Sequence, residues 1–176
     1  IIQQVFPAYH GVAWYWHSFI LNGGSLKDNR VLIRFGAVDY LADVWLNGKH
    51  LGTYEGGETP FEFDVTDSIA ANRNNLLAVR VLNPTEKPID GIALNQTPHR
   101  NKYIPPRCGG SFNSGGIMYP VQLQTVPATY ITDVFARPDV QTGVIAVTVS
   151  VRNTGSKTAE GMVSLFVSPA AGGHGS

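Results

Sequence analysis

The run VDYLADVWLNGKHLGTYEGGETPFEFDVT, Val38 to Thr66, reads as a strand, a two-residue turn, a returning strand, a glycine-rich corner and a third strand. Asn47-Gly48 lies between VWL and KHL. A two-residue hairpin turn needs positive φ at both central residues, and Asn-Gly tolerates that best. If Leu46 pairs with Lys49, Trp45 faces His50 and Val44 faces Leu51. Val44, Leu46 and Leu51 then share one face, and Trp45 and His50 the other as a cross-strand packing pair. Asn47, Gly48 and Trp45 are thereby structural residues that need no ligand to explain them.

The flanking segments repeat the β pattern. Val12–Leu21 (VAWYWHSFIL) carries aromatic and β-branched residues on both parities, as in a strand covered on two sides. Trp14 and Trp16 are read there as core packing in preference to a sugar-stacking platform. Asn22-Gly23-Gly24 ends this strand. Arg30–Val38 alternates, with Val31, Ile33 and Phe35 on one face. Phe61, Phe63 and Val65 form a face in the next strand. Leu77, Val79 and Val81 do so in Leu76–Leu82. Ile117–Val126 is again a strand, in which Pro120 marks an edge position or a bulge. Three more strands are expected at Tyr130–Arg137, Val144–Asn153 and Met162–Ser168. A closed sandwich takes about seven strands, so this tail reads as the start of a second β-domain. The end, AAGGHGS, is flexible by composition.

Composition narrows the function classes. The apolar fraction is 43% and the charged fraction 15%, which suits a folded β-rich protein. Thirteen basic residues offset 13 acidic ones, so no basic stripe recruits nucleic acid. No run of ~18 apolar residues is present to span a membrane as a helix. The single cysteine, Cys108, cannot form an intrachain disulfide and leaves the redox compartment undecided. The first residue is not Met, and the start lacks the basic and apolar regions of a signal peptide. The chain is therefore expected to be a processed or excised piece.

The candidate ligand region is Asn83–Gly116, rich in proline and glycine. Structureless stretches beyond ~12–15 residues in compact domains are usually functional or disordered. This one interleaves His99, Tyr103, Arg107, Phe112 and Asn113, groups that can hydrogen-bond to and stack on a polar ligand such as a sugar. The alternative is an excursion that covers a sheet edge. Asn95-Gln96-Thr97 fits a glycosylation sequon. Glycoside hydrolysis needs two carboxylates flanking the scissile bond. Asp39, Asp43, Glu55, Glu58, Glu62 and Asp64 are available, but their spacing singles out no pair. The histidines have no metal-ligand spacing, so no metal and no cofactor is expected. Pattern alone yields a β-sandwich with a possible polar-ligand loop, and no reaction.

The blocks GVAWYWHSF (Gly11–Phe19), Arg30–Thr66, NNLLAVRV (Asn74–Val81) and GGIMYPVQL (Gly115–Leu123) occur in an order and spacing that resembles the N-terminal sugar-binding region of family 2 glycoside hydrolases. That family includes β-galactosidases, β-glucuronidases and β-mannosidases. Tyr130–Val140 and Val147–Val167 are similar to the start of the immunoglobulin-like domain that follows in it. The resemblance implies an all-β chain: a jelly-roll sandwich over residues 1–127, then an incomplete immunoglobulin-like sandwich over 128–176. It also implies a β-galactoside, β-glucuronide or β-mannoside as the carbohydrate partner. The catalytic glutamates would lie on a downstream barrel of the same polypeptide, so no catalytic residue is expected in this chain. Two departures stand out. Met118-Tyr119-Pro120 replaces the family's aromatic-then-Arg after GGI, and Gly109-Gly110-Ser111-Phe112 offers an aromatic without an acid. A stand-alone carbohydrate-binding module and an adhesive sandwich with no sugar site remain as other readings.

Overall fold

The structure, a computed structural model, describes residues 9–22, 26, 29–94 and 115–168. Its regular elements are eleven strands, and no α-helix occurs among the described residues. No helix there is long and apolar enough to cross a membrane. The chain divides into two compact units, residues 1–127 and 128–176.

The first unit holds β1 (Gly11–Ile20), β2 (Asn29–Phe35), β3 (Val38–Asp39), β4 (Leu41–Leu46), β5 (Lys49–Glu55), β6 (Phe61–Asp64), β7 (Asn74–Asn83), β8 (Gly116–Ile117) and β9 (Val121–Pro127). They form a four-stranded sheet in the order β1-β7-β4-β5 and a three-stranded sheet in the order β6-β2-β9, with β3 and β8 paired beside them. All pairings are antiparallel. Val31, Ile33 and Phe35 of β2 share one core cluster with Val44 and Leu46 of β4 and Leu77, Val79 and Val81 of β7. The two sheets therefore face each other as a sandwich, each contributing one parity of its strands. Each such side chain stabilises by about 1.5–3 kcal/mol through burial. Phe61 closes one side, with its ring 4.8 Å from Phe35 and 4.1 Å from Tyr54.

The hairpin is β4–β5. Asn47 and Gly48 both have positive φ, 53° and 81°. Leu46 pairs with Lys49 and Trp45 with His50, but a bulge follows and Val44 faces Gly52 instead of Leu51. Leu51 still packs against the core, and Gly52 lies against the Phe63 ring. Other expectations are also corrected. The run Arg30–Val38 breaks at Gly36, whose N–H donates to the Pro120 carbonyl at 3.0 Å. Ile117–Val126 breaks at the same crossing into β8 and β9. Tyr119 leaves the strand face there and is 62% exposed.

The second unit contains β10 (Thr129–Asp139) and β11 (Val144–Asn153), an antiparallel pair with a bulge after Ile131. The expected strand at Met162–Ser168 does not form. A strand exists through a ladder partner, and none is present for this segment among the described residues. Met162, Leu165 and Phe166 are exposed.

Candidate functional site

Among the described residues, the outer face of the four-stranded sheet carries a dense group of chemically capable side chains. Alternation along β1 turns Tyr15 and Phe19 inward and Trp14 and Trp16 outward. The reading of β1 as covered on both sides is therefore corrected: Trp14 is 44% exposed and Trp16 64%. Register extends the face across the sheet. Trp16 lies level with Ala78 of β7, then Trp45 of β4, then His50 of β5. Ala78 is small, which lets rings from β1 and β4 meet above β7. The Trp14 and Trp16 rings are nearly parallel, with centroids 5.9 Å apart and planes at 9°. Trp14 lies 5.2 Å from Trp45, and Trp45 lies 4.9 Å from His50.

A polar row runs beside this aromatic one, formed by Trp14, Arg80, Asp43 and Thr53 in register. Thr53 donates its hydroxyl to Asp43 Oδ1 at 2.6 Å, and Arg80 Nη1 donates to Asp43 Oδ2 at 3.3 Å. Arg80 Nη2 also donates to Asp90. His50 Nε2 is 3.8 Å from Asp43 Oδ1. The sequence reading did not single out Arg80, Ala78 or Asp90. The available signal was parity: Ala78 and Arg80 alternate with the core residues Leu77, Val79 and Val81.

The second feature is a cleft of about 460 Å³ between the edge strands β1 and β9. Tyr15, Trp16, Phe19, Ile33, Ile117 and Leu123 are among its lining, with His17 and Gln122 as its polar members, so it is mostly apolar. Its volume falls in the range of small-molecule pockets, but it lacks converging charged groups.

The candidate carboxylates are dispersed in other roles. Asp39 is buried, Glu55 accepts from the Tyr40 hydroxyl, and Asp43 is held as described. Burial and the Glu55 contact push the Tyr40 phenol up to about 12, which removes it as a base near neutrality. At Asp64, burial raises the carboxyl. Hydrogen bonds from Thr66 and Arg30, the latter at 2.8 Å, outweigh it and hold the group low. A general acid needs the opposite shift. Asp64 is therefore a structural clasp between β6 and β2.

His99, Tyr103, Arg107, Phe112 and Asn113, the sugar-binding candidates, lie outside the described residues, as do Cys108 and the sequon at Asn95. His10 lies 3.1 Å from the Asn83 amide, and His17 stacks on Phe19. No group of three or more His, Cys, Asp or Glu that could hold a metal occurs among the described residues.

Comparison with known proteins places these features in context. The family model for the sugar binding domain of glycosyl hydrolases family 2 matches residues 1–127. A β-glucuronidase from Felis catus is 33% identical over 135 residues, which cover 70% of this chain and 21% of that protein. A β-galactosidase from Thermoanaerobacter pseudethanolicus is 31% identical over 157 residues, 88% of this chain and 19% of that one. Among solved structures, Faecalibacterium prausnitzii β-glucuronidase aligns with a TM-score of 0.60 at 31% identity, over 84% of this chain and 27% of that one. Bifidobacterium dentium β-glucuronidase complexed with coumarin-3-O-glucuronide aligns with a TM-score of 0.61 at 29% identity, over 83% of this chain and 28% of that one. The chain thus spans about a fifth of the length of the curated relatives it matches.

Proposed function

Because the chain belongs to glycosyl hydrolases family 2 through the sugar binding domain of that family, we propose that it is the non-catalytic, carbohydrate-binding and scaffolding portion of a longer glycosidase. The match over residues 1–127, set against relatives about five times as long, carries this reading. In it, residues 128–176 begin an immunoglobulin-like domain, and a catalytic domain of the same polypeptide hydrolyses O-glycosidic bonds in carbohydrate metabolism. The names of the relatives favour a β-glucuronide as the substrate of the whole protein, ahead of a β-galactoside.

The titration of two carboxyls supports the non-catalytic role. Retaining hydrolysis needs two carboxyl groups about 5–5.5 Å apart across the scissile bond, one with a raised pKa. Among the described residues, Asp64 and Asp139 are both held low, the opposite of that shift. The test is an assay of the 176-residue chain and of the full-length polypeptide against aryl β-glucuronide, β-galactoside and β-mannoside. The chain alone should give no turnover and the full polypeptide should prefer the glucuronide. Turnover by the chain above blank sinks the non-catalytic reading.

A further inference from the structure

We infer that the outer face of the β1-β7-β4-β5 sheet, centred on Trp14, Trp16 and Trp45, is a binding surface for a neutral β-linked glycan. The inference rests on the reading of this chain as a carbohydrate-binding portion and names the surface that would do the binding.

All three tryptophans of the chain lie on this one face. An indole left in water forgoes the burial that makes tryptophan favourable in a core. Here two adjacent indoles are left so, while smaller residues fill the core below. The rings brace one another from β1 across Ala78 to β4, so they are held in place before any ligand arrives. Pre-organised side chains lose little freedom on binding.

The chemistry fits a pyranose. The C–H groups of a sugar ring are weakly positive, and they complement the negative face of an aromatic ring. A β-linked chain presents such C–H faces repeatedly, together with hydroxyls at its edge. Those hydroxyls require fixed donors and acceptors beside the rings. Arg80, Asp43, Thr53 and Asp90 supply both, locked by their mutual hydrogen bonds. Protein interfaces, by contrast, have cores depleted in charged residues. Here a guanidinium and a carboxylate sit level with Trp14.

Charge selects among glycans. One arginine, Arg80, faces two carboxylates, Asp43 and Asp90. The surplus is negative, which repels a uronate carboxylate and leaves an uncharged glycan favoured. The surface would therefore disfavour the acidic sugar that names most of the relatives.

The test titrates the 176-residue chain with cellohexaose, mannohexaose and a glucuronate-containing hyaluronan hexasaccharide, by calorimetry and tryptophan emission. Every indole lies on the proposed surface, and Trp16 also lines the apolar cleft, so Trp14→Ala, at a position outside the cleft lining, should lower affinity as well if the surface is the site. At least one neutral hexasaccharide should give saturable heat and shift the emission, and the uronate oligosaccharide should bind about tenfold more weakly. Trp16→Ala should lower affinity by about tenfold or more without moving the urea midpoint, and Trp16→Phe should recover part of it. Heat with unchanged emission, or full affinity in Trp14→Ala or Trp16→Ala, overturns the surface while sparing the carbohydrate-binding reading. Tighter binding of the uronate oligosaccharide overturns the charge argument and the neutral class with it. No heat with any oligosaccharide overturns both the surface and the reading beneath it.

Discussion

The side-chain amide of Asn47 donates to Asn75 Oδ1 at 2.8 Å, joining the tip of the β4–β5 hairpin to the start of β7. Asn47 also accepts from the Leu76 N–H at 2.9 Å and donates to the Ser68 carbonyl at 2.9 Å. Asn75 is fully buried and bonds both backbone groups of Ala70 and the Arg73 carbonyl. Asn75→Ala removes the partner of these part-buried groups. Groups left unpaired cost about 1–3 kcal/mol, and the loss should appear as a lower urea midpoint. Asn75→Asp should cost at least as much near neutrality, because its carboxylate would face the Ala70 and Arg73 carbonyls. A midpoint unchanged in both variants would rule out the network as a stabilising element.

Gly116 combines positive φ, 112°, with a crowded site. A methyl group on it would lie 2.5 Å from the Tyr15 hydroxyl. Gly116→Ala should therefore destabilise by about 1–3 kcal/mol through backbone strain and displacement of Tyr15. Adding Tyr15→Phe should relieve the steric part only. Thermal unfolding of the two single variants and the double variant separates these contributions. Additive losses would show that the hydroxyl is not the obstacle.

Asp64 gives the sandwich an acid-side dependence. Its folded-state pKa lies below the unfolded one, so its contribution is complete above the unfolded value. It is lost as pH falls through the lowered folded value. The stability gap between the parent and Asp64→Asn should be full at pH 7 and close as acid is added below the ordinary carboxylate range. Chemical unfolding at stepped pH reads this directly. A gap independent of pH would exclude Asp64 as its source.

The second unit leaves Phe135, Met162, Leu165 and Phe166 exposed. Exposed apolar groups on this scale promote association. Sedimentation should show the 176-residue chain self-associating with concentration, and a chain ending at Pro127 should do so less. Equal behaviour of the two would place the sticky surface in the first unit.

The legible parts of this fold are those decided by neighbours in sequence. Asn47-Gly48 fixes its own turn, and the parity of Val31, Ile33 and Phe35 names a buried face without knowledge of what covers it. The bulge at Leu51 was not legible, because it reflects where the Phe63 ring needs room across the sandwich. Nor was the openness of the Trp14–Trp16 face. Alternation tells which side chains share a side, but not whether a second layer lies over it. The Arg80–Asp43 pairing depends on β7 inserting between β1 and β4, a non-sequential order that no local pattern announces. The loop candidates from His99 to Asn113 were chosen by residue chemistry and lie outside the described residues.

Pro120 stands just before β9 and Pro127 ends it, and β9 is an outer strand of its sheet. Neither proline has an N–H to offer. A foreign strand laid along this edge would find the row of N–H donors broken at both positions. The two rings thus act as stops against runaway sheet growth, a safeguard for a chain whose apolar cleft opens beside the same strand.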